Sequence, residues 1–170
     1  MEVRHLYRPD PDRSGLDHSS RGLRMTSTTV TVDVSYGQIS VFVSTLRQPF
    51  DDWTDRHFAQ GFAWRPRSVS FRALVEAEPH SVEIEIADHA GPLSVDAVRV
   101  TEVPFEVPAN GVIEVASISD SVLLSLPAGR FLLRCELSGP KTIVASECIL
   151  SLHGKTPHIS PSFSQTKICR

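Results

Sequence analysis

Asp51, Asp52 and Asp55 bracket Trp53 within a five-residue stretch. Carboxylates set around an indole can form an acidic contact surface, the tryptophan anchoring a partner while the charges pair with its Arg or Lys side chains. The same residues also fit a plainer role, with an aspartate capping a short helix and Trp53 packed inward. Calcium is a third use for loop carboxylates, but such a site takes about six to eight oxygen ligands, and the EF-hand spacing is missing. A second acidic group follows downstream. Glu83 and Glu85 share one face of an alternating segment, with Glu76, Glu78 and Asp88 close in sequence. They read either as a contact for a basic partner or as a solvated strand face.

The other chemistry-bearing residues do not assemble in the sequence. The seven histidines, at 5, 18, 57, 80, 89, 153 and 158, show neither a His-Glu-x-x-His pattern nor another ligand-like helical pair. No Gly-x-Ser-x-Gly turn presents a nucleophile, and no glycine-rich phosphate cradle occurs. Catalysis therefore has no candidate residues, and neither a metal nor another cofactor is expected. A hydrolase would need His57, His80 or His89 beside a carboxylate in a deep pocket, assembled only by the fold. The odd set Cys135, Cys148 and Cys169 has no metal-site spacing, and the first two lie in strand patterns where they pack as small apolar groups.

These side chains sit in a chain built mainly of strands. At 170 residues, 41% hydrophobic and 22% charged, the sequence has the length and composition of one globular domain with a real core. Period-two alternation recurs: Val30, Val32 and Val34; Ile39, Val41 and Val43; Val82, Ile84 and Ile86 against Glu83 and Glu85; and Phe131, Leu133, Cys135 and Leu137 against Leu132, Arg134 and Glu136. Strands with one wet face favour antiparallel pairing. About nine strands at sandwich-like spacing predict an all-β antiparallel sandwich. Turns are expected at Tyr36-Gly37, at Asn110-Gly111 as a type I′ hairpin, and at Pro127-Ala128-Gly129. One short helix is expected near residues 52–60, capped by Asp52 or Thr54, with Trp53, His57 and Phe58 facing inward and Gly61 ending it.

Both ends read differently from this middle. Residues 1–24 carry five arginines and little apolar periodicity, which predicts a poorly ordered extension, and Met25 is a candidate start of the domain and of translation. Residues 154–170 are polar and proline-broken, as in a tail, which leaves 25–153 as the folded domain. No apolar run reaches the roughly 18 residues of a membrane span, and the first 25 residues lack a signal-type apolar core, so a cytoplasmic setting is expected. Charge divides along the same lines. Residues 28–153 hold 16 acidic against 9 basic side chains, a net of −7, whereas the two ends together carry +4. An acidic domain is a poor ligand for nucleic acid and a good one for a basic protein.

Phe50-Asp51-Asp52-Trp53-Thr54-Asp55, followed in order by Gly61-Phe62-Ala63, Val103-Pro104-Phe105, Asn110-Gly111, Leu126-Pro127-Ala128-Gly129 and Cys135, resembles the competence protein J family over roughly residues 28–152. The resemblance implies a stoichiometric protein inhibitor of a nonspecific DNA nuclease, related to competence or serving as an immunity protein, and not an enzyme. It implies a nuclease partner, basic and either membrane-associated or a secreted toxin. It carries no residue-level inhibitory site. On chemistry, the contact residues are Asp51, Asp52, Trp53 and Asp55, with Glu83 and Glu85. The alternative is a ligand-binding sandwich module, for carbohydrate or calcium-dependent, which would display an exposed aromatic platform.

Overall fold

A computed structural model of the chain describes residues 26–142, 145–154 and 165–168. The expected extension 1–24, Met25, Cys169 and most of the expected tail lie outside those residues. In chain order the elements are β1 (Thr26–Val34), β2 (Gln38–Val43), α1 (Asp55–Gln60), β3 (Phe62–Arg65), β4 (Ser68–Arg72), β5 (Glu78–Ala87), β6 (Ala97–Val107), β7 (Val112–Ala116), β8 (Ser121–Ser125), β9 (Gly129–Thr142), β10 (Ala145–His153) and β11 (Gln165–Ile168). The described strands number eleven rather than about nine, because the short β3 and β11 are strands as well.

The strands form two sheets, ordered β1-β5-β10-β9-β6-β11 and β3-β4-β2-β7-β8. One apolar cluster fills the space between them, drawing Val32, Ile84, Leu150 and Leu133 from the larger sheet and Ile39, Val69, Phe71 and Ile113 from the smaller. Each such side chain contributes about 1.5–3 kcal/mol by leaving water. Alternation does what the sequence asked of it. On β5, Val82, Ile84 and Ile86 are buried in this core, while Glu83 and Glu85 stand half-buried on the outer face. Cys135 and Cys148 are buried free thiols on neighbouring strands, their Sγ atoms 3.7 Å apart. Burial pushes the Cys135 thiol well up from its ordinary pKa, aided by the adjacent Cys148, so it is the unreactive thiol form that the core holds.

Two topological expectations need correction. First, the sandwich is not wholly antiparallel, because β5 pairs with β10 in parallel from His80 opposite Ser146 to Ala87 opposite His153. Second, Asn110-Gly111 is not a hairpin turn. It lies between β6 of one sheet and β7 of the other, with φ +69° at Gly111 and the Gly111 N–H bonded to the Pro108 carbonyl at 2.8 Å. The paired positive φ values of a type I′ turn occur instead at Tyr36 (55°) and Gly37 (60°), where the Ser35–Gln38 bridge carries the chain from β1 into the second sheet. Pro127-Ala128-Gly129 likewise joins strands of different sheets. Among the described residues no helix is long and apolar enough to cross a membrane.

The two outer faces are finished in different ways. Over the smaller sheet runs the segment 44–60, and beneath it Ser40, Phe42, Ser68 and Ser70 are buried. Ser40 and Ser70 satisfy each other at 2.8 Å, and Ser68 donates to the Pro49 carbonyl of the covering segment. Over the larger sheet, the link between β5 and β6 crosses β10 and β9, tied down where the Ser94 N–H donates to Glu136 (2.8 Å) and Arg134 donates to the Gly91 carbonyl (3.0 Å).

Candidate functional site

The helix that the stretch Asp51-Asp52-Trp53-Thr54-Asp55 announces is α1, shorter than expected and starting at Asp55. Thr54 is its N-cap residue, the second of the two candidates, and the Thr54 N–H donates to His57 Nδ1 at 3.2 Å, so the third helical residue reaches back to the cap. Gly61 ends it in the left-handed conformation, at φ +84°, with its N–H bonded to the His57 carbonyl at 2.8 Å. The expected inward face is a correction: α1 buries none of its residues, and Phe58 is 51% exposed. Six residues make too short a helix to carry an apolar stripe into a core already filled by strands.

Each motif residue has a distinct environment. The Asp51 side chain is only 7% exposed and accepts from Arg65 Nε at 2.7 Å, with Ser68 Oγ at 3.5 Å. Arg65 also donates to the Gln48 carbonyl, so this pair clamps the covering segment to β3 and β4. Burial raises the Asp51 pKa above its ordinary value, and the Arg65 hydrogen bond and charge oppose that rise. Asp51 is thereby engaged within the fold. Asp52 and Asp55 are exposed. Trp53 is half-buried on the motif itself rather than in the core, 5.1 Å from the Phe58 ring and 6.4 Å from His57, and its enclosed indole Nε1 has no acceptor among the described residues. Beside it opens a cleft of about 380 Å³ lined by Tyr36, Trp53, Phe58, Arg72, Leu74 and Glu76. Arg72 lies over the Phe58 ring at 5.9 Å, and Tyr36 is 85% exposed.

Glu83 and Glu85 lie elsewhere. They point from β5 on the outer face of the larger sheet, where Glu83 accepts from Ser27 Oγ at 2.6 Å and Glu85 from Ser151 Oγ at 3.0 Å. Among the described residues these hydroxyls are their partners, with no ion pair to either carboxylate. The two acidic groups therefore face away from each other across the sandwich.

Next to Glu85 on the same face is a cluster that residue patterns did not bring together. Arg134 meets Glu102 at 2.6 Å and Glu136 at 3.6 Å, and His153 Nε2 stands 3.6 Å from Glu102. Glu136 has a side chain only 4% exposed, held by the Ser94 N–H. Alternation marked Arg134 and Glu136 as the polar side of β9, but Glu102 and His153 arrive from β6 and β10 through pairing alone. Burial lowers the His153 pKa, with the Arg134 charge adding to that effect and Glu102 opposing it. Of the histidines singled out for a hydrolase, His80 is buried with Nδ1 on the Glu78 carbonyl, His57 serves α1 near Asp51, which Arg65 already engages, and His89 is exposed in the crossing link. Among the described residues no three His, Cys, Asp or Glu side chains converge as a metal set, since Asp51 turns to Arg65 while Asp52 and Asp55 face solvent.

The profile of the competence protein J (ComJ) family matches residues 31–152, from within β1 to the end of β10. The fold is similar to the crystal structure of ComJ, inhibitor of the DNA degrading activity of NucA, from Bacillus subtilis, at 22% identity and a TM-score of 0.68, covering 77% of this chain and 98% of that one. It is also similar to the structure of crocagin biosynthetic gene J, at 15% identity and a TM-score of 0.57, covering 79% of this chain and 100% of that one. No curated protein matches the chain.

Proposed function

From the premise that this chain belongs to the competence protein J family, we infer that it is a protein inhibitor of a nuclease, acting stoichiometrically and not as an enzyme. The observation that carries this reading is the family match over residues 31–152, joined to a likeness to a structure described as an inhibitor of DNA degradation. The charge supports it. A nuclease must offer DNA a basic cleft, and a domain of net −7 is drawn to that surface and competes with phosphate for it.

The contact is assigned to the motif face: Trp53 with Asp52 and Asp55, the Phe58 and Tyr36 rings beside them. Two features support that choice: the two carboxylates are exposed, and the rings offer apolar surface at a cleft edge. Asp51 acts behind this surface as its anchor. The Glu83 and Glu85 face, on the other side of the sandwich, is the next candidate for the same contact. The nuclease itself is basic, and is either a membrane-associated DNA-entry enzyme or a toxin against which this chain gives immunity.

The test mixes the full chain with the nuclease encoded nearest to it and follows DNA degradation at rising inhibitor ratio. Cleavage is expected to stop near equimolar inhibitor. Undiminished cleavage, with no complex by gel filtration, would overturn the reading.

A further inference from the structure

Sheet edges are where a β-protein either defends itself or pairs, and β8 closes one side of the smaller sheet with nothing hydrogen-bonded beyond it among the described residues. Its sequence is Ser121-Val122-Leu123-Leu124-Ser125, with no charge and no proline. The direction of its backbone groups follows from its bonds to β7. At one end the Ser117 N–H donates to the Asp120 carbonyl, and at the other the Leu126 N–H donates to the Gly111 carbonyl, each at 2.8 Å. In an antiparallel ladder successive residues alternate between facing their neighbour and facing away. With Val115 opposite Val122 and Ile113 opposite Leu124, those two residues face β7, and Ser121, Leu123 and Ser125 turn their N–H and C=O groups outward.

The side chains are disposed to match. Val122 and Leu124 point inward and pack on the core, yet are only partly buried because no strand lies outside them. Leu123 is 63% exposed on the outer face. A second β8, run antiparallel with the two-fold axis at Leu123, places Leu123 against Leu123, Ser121 against Ser125, and Val122 against Leu124. Every outward N–H then meets an outward C=O, and each apolar residue meets an apolar residue on its own face. Charge does not oppose this. The nearest acidic side chain on that face is Glu114, opposite Leu123 on β7, so its counterpart across the axis is about three strand spacings away, roughly 14 Å, beyond the screening length at physiological salt. Two of the other three described edges are less suited. β3 ends at Arg65-Pro66 and carries α1, and the outward side chains of β1, Ser27, Thr29, Thr31 and Asp33, are polar.

We propose that β8 pairs with β8 of a second copy of this chain, joining two five-stranded sheets into one continuous sheet across a two-fold axis at Leu123. Five residues a side bury little area, so the association is weak and depends on concentration. It leaves both outer faces open, and the inhibitor then presents two copies of its nuclease-contact face. The experiment is sedimentation velocity on the full chain from about 5 to 500 µM, with L123K, with L123E, and with the two variants mixed, folding being checked by thermal melts. Wild type is expected to self-associate, and each variant alone to weaken that by about ten-fold or more through like charges set directly opposite. Mixing the two is expected to restore pairing, because the two-fold axis puts Lys against Glu. Should either variant fail to fold, S125P removes an outward N–H without touching the β7 ladder and is expected to weaken association as well. A wild type that stays monomeric, association that these substitutions leave unchanged, or a mixture no tighter than its components would overturn the proposal.

Discussion

The outer faces of the two sheets solve one problem by different means. On the larger sheet charged residues satisfy one another laterally, Glu102 with Arg134 and Arg134 with Glu136, under a link that contributes backbone groups. On the smaller sheet Ser40, Ser68, Ser70 and Phe42 are buried under a folded segment, fixed at one ion pair, Asp51 with Arg65. A charged face is rigid in itself, whereas a covered face delegates its surface to whatever lies on top. The covering segment holds the exposed rings and carboxylates because it is freed from the alternation that strands impose on their side chains.

Substitutions can break this contrast from either side. The largest effect is expected from Arg134→Ala, which strands Glu136 in a buried position and releases the Gly91 carbonyl; urea denaturation should show a loss of about 3 kcal/mol. Next comes the proposed contact. Trp53→Ala with Asp52→Asn and Asp55→Asn is expected to weaken nuclease inhibition by about 100-fold in a folded protein, as removal of an aromatic anchor does. Glu83→Gln with Glu85→Gln serves as the matched arm and is expected to change inhibition by less than about ten-fold, mainly through association rate. The reverse ranking would move the interface to the larger sheet. Asp51→Ala is expected to cost about 2 kcal/mol by unfastening the covering segment, and Asp51→Asn less, since the amide oxygen still accepts from Arg65 and the burial of a charge is relieved.

The smallest effect is one of pH. The folded pKa of His153 lies below its ordinary value, so as pH falls through the usual histidine range the unfolded chain takes up a proton that the folded chain resists. Stability therefore declines on acidification through that window and is retained above it. His153→Gln should flatten the profile, as read by thermal melts at successive pH values.

Much of this was legible locally. Val82, Ile84 and Ile86 against Glu83 and Glu85 announce a strand and both its faces, and Gly61 announces where a helix stops, because one strand's period or one residue's φ decides each. What failed was whatever depends on a partner far away in sequence. Asn110-Gly111 permits a hairpin, but which sheet the following strand joins is decided by core packing, and β7 lies in the sheet opposite β6. Trp53 offered both an inward and an outward reading because a six-residue helix has too little length for a periodic signal. Asp51 looked like its neighbours Asp52 and Asp55; only Arg65, 14 residues on, separates its role from theirs.

The parallel ladder between β5 and β10 joins residues some 66 positions apart, such as Glu85 and Ser151. Until β10 has left the ribosome, β5 can pair only with β1 and β9 only with β6, so the two halves of the larger sheet stay unjoined. A topology so rich in distant pairings folds slowly, on a scale of milliseconds to seconds. Truncation before residue 145 would accordingly remove the whole cooperative unit, not an increment of it, and a nascent chain acquires the sandwich late and all at once.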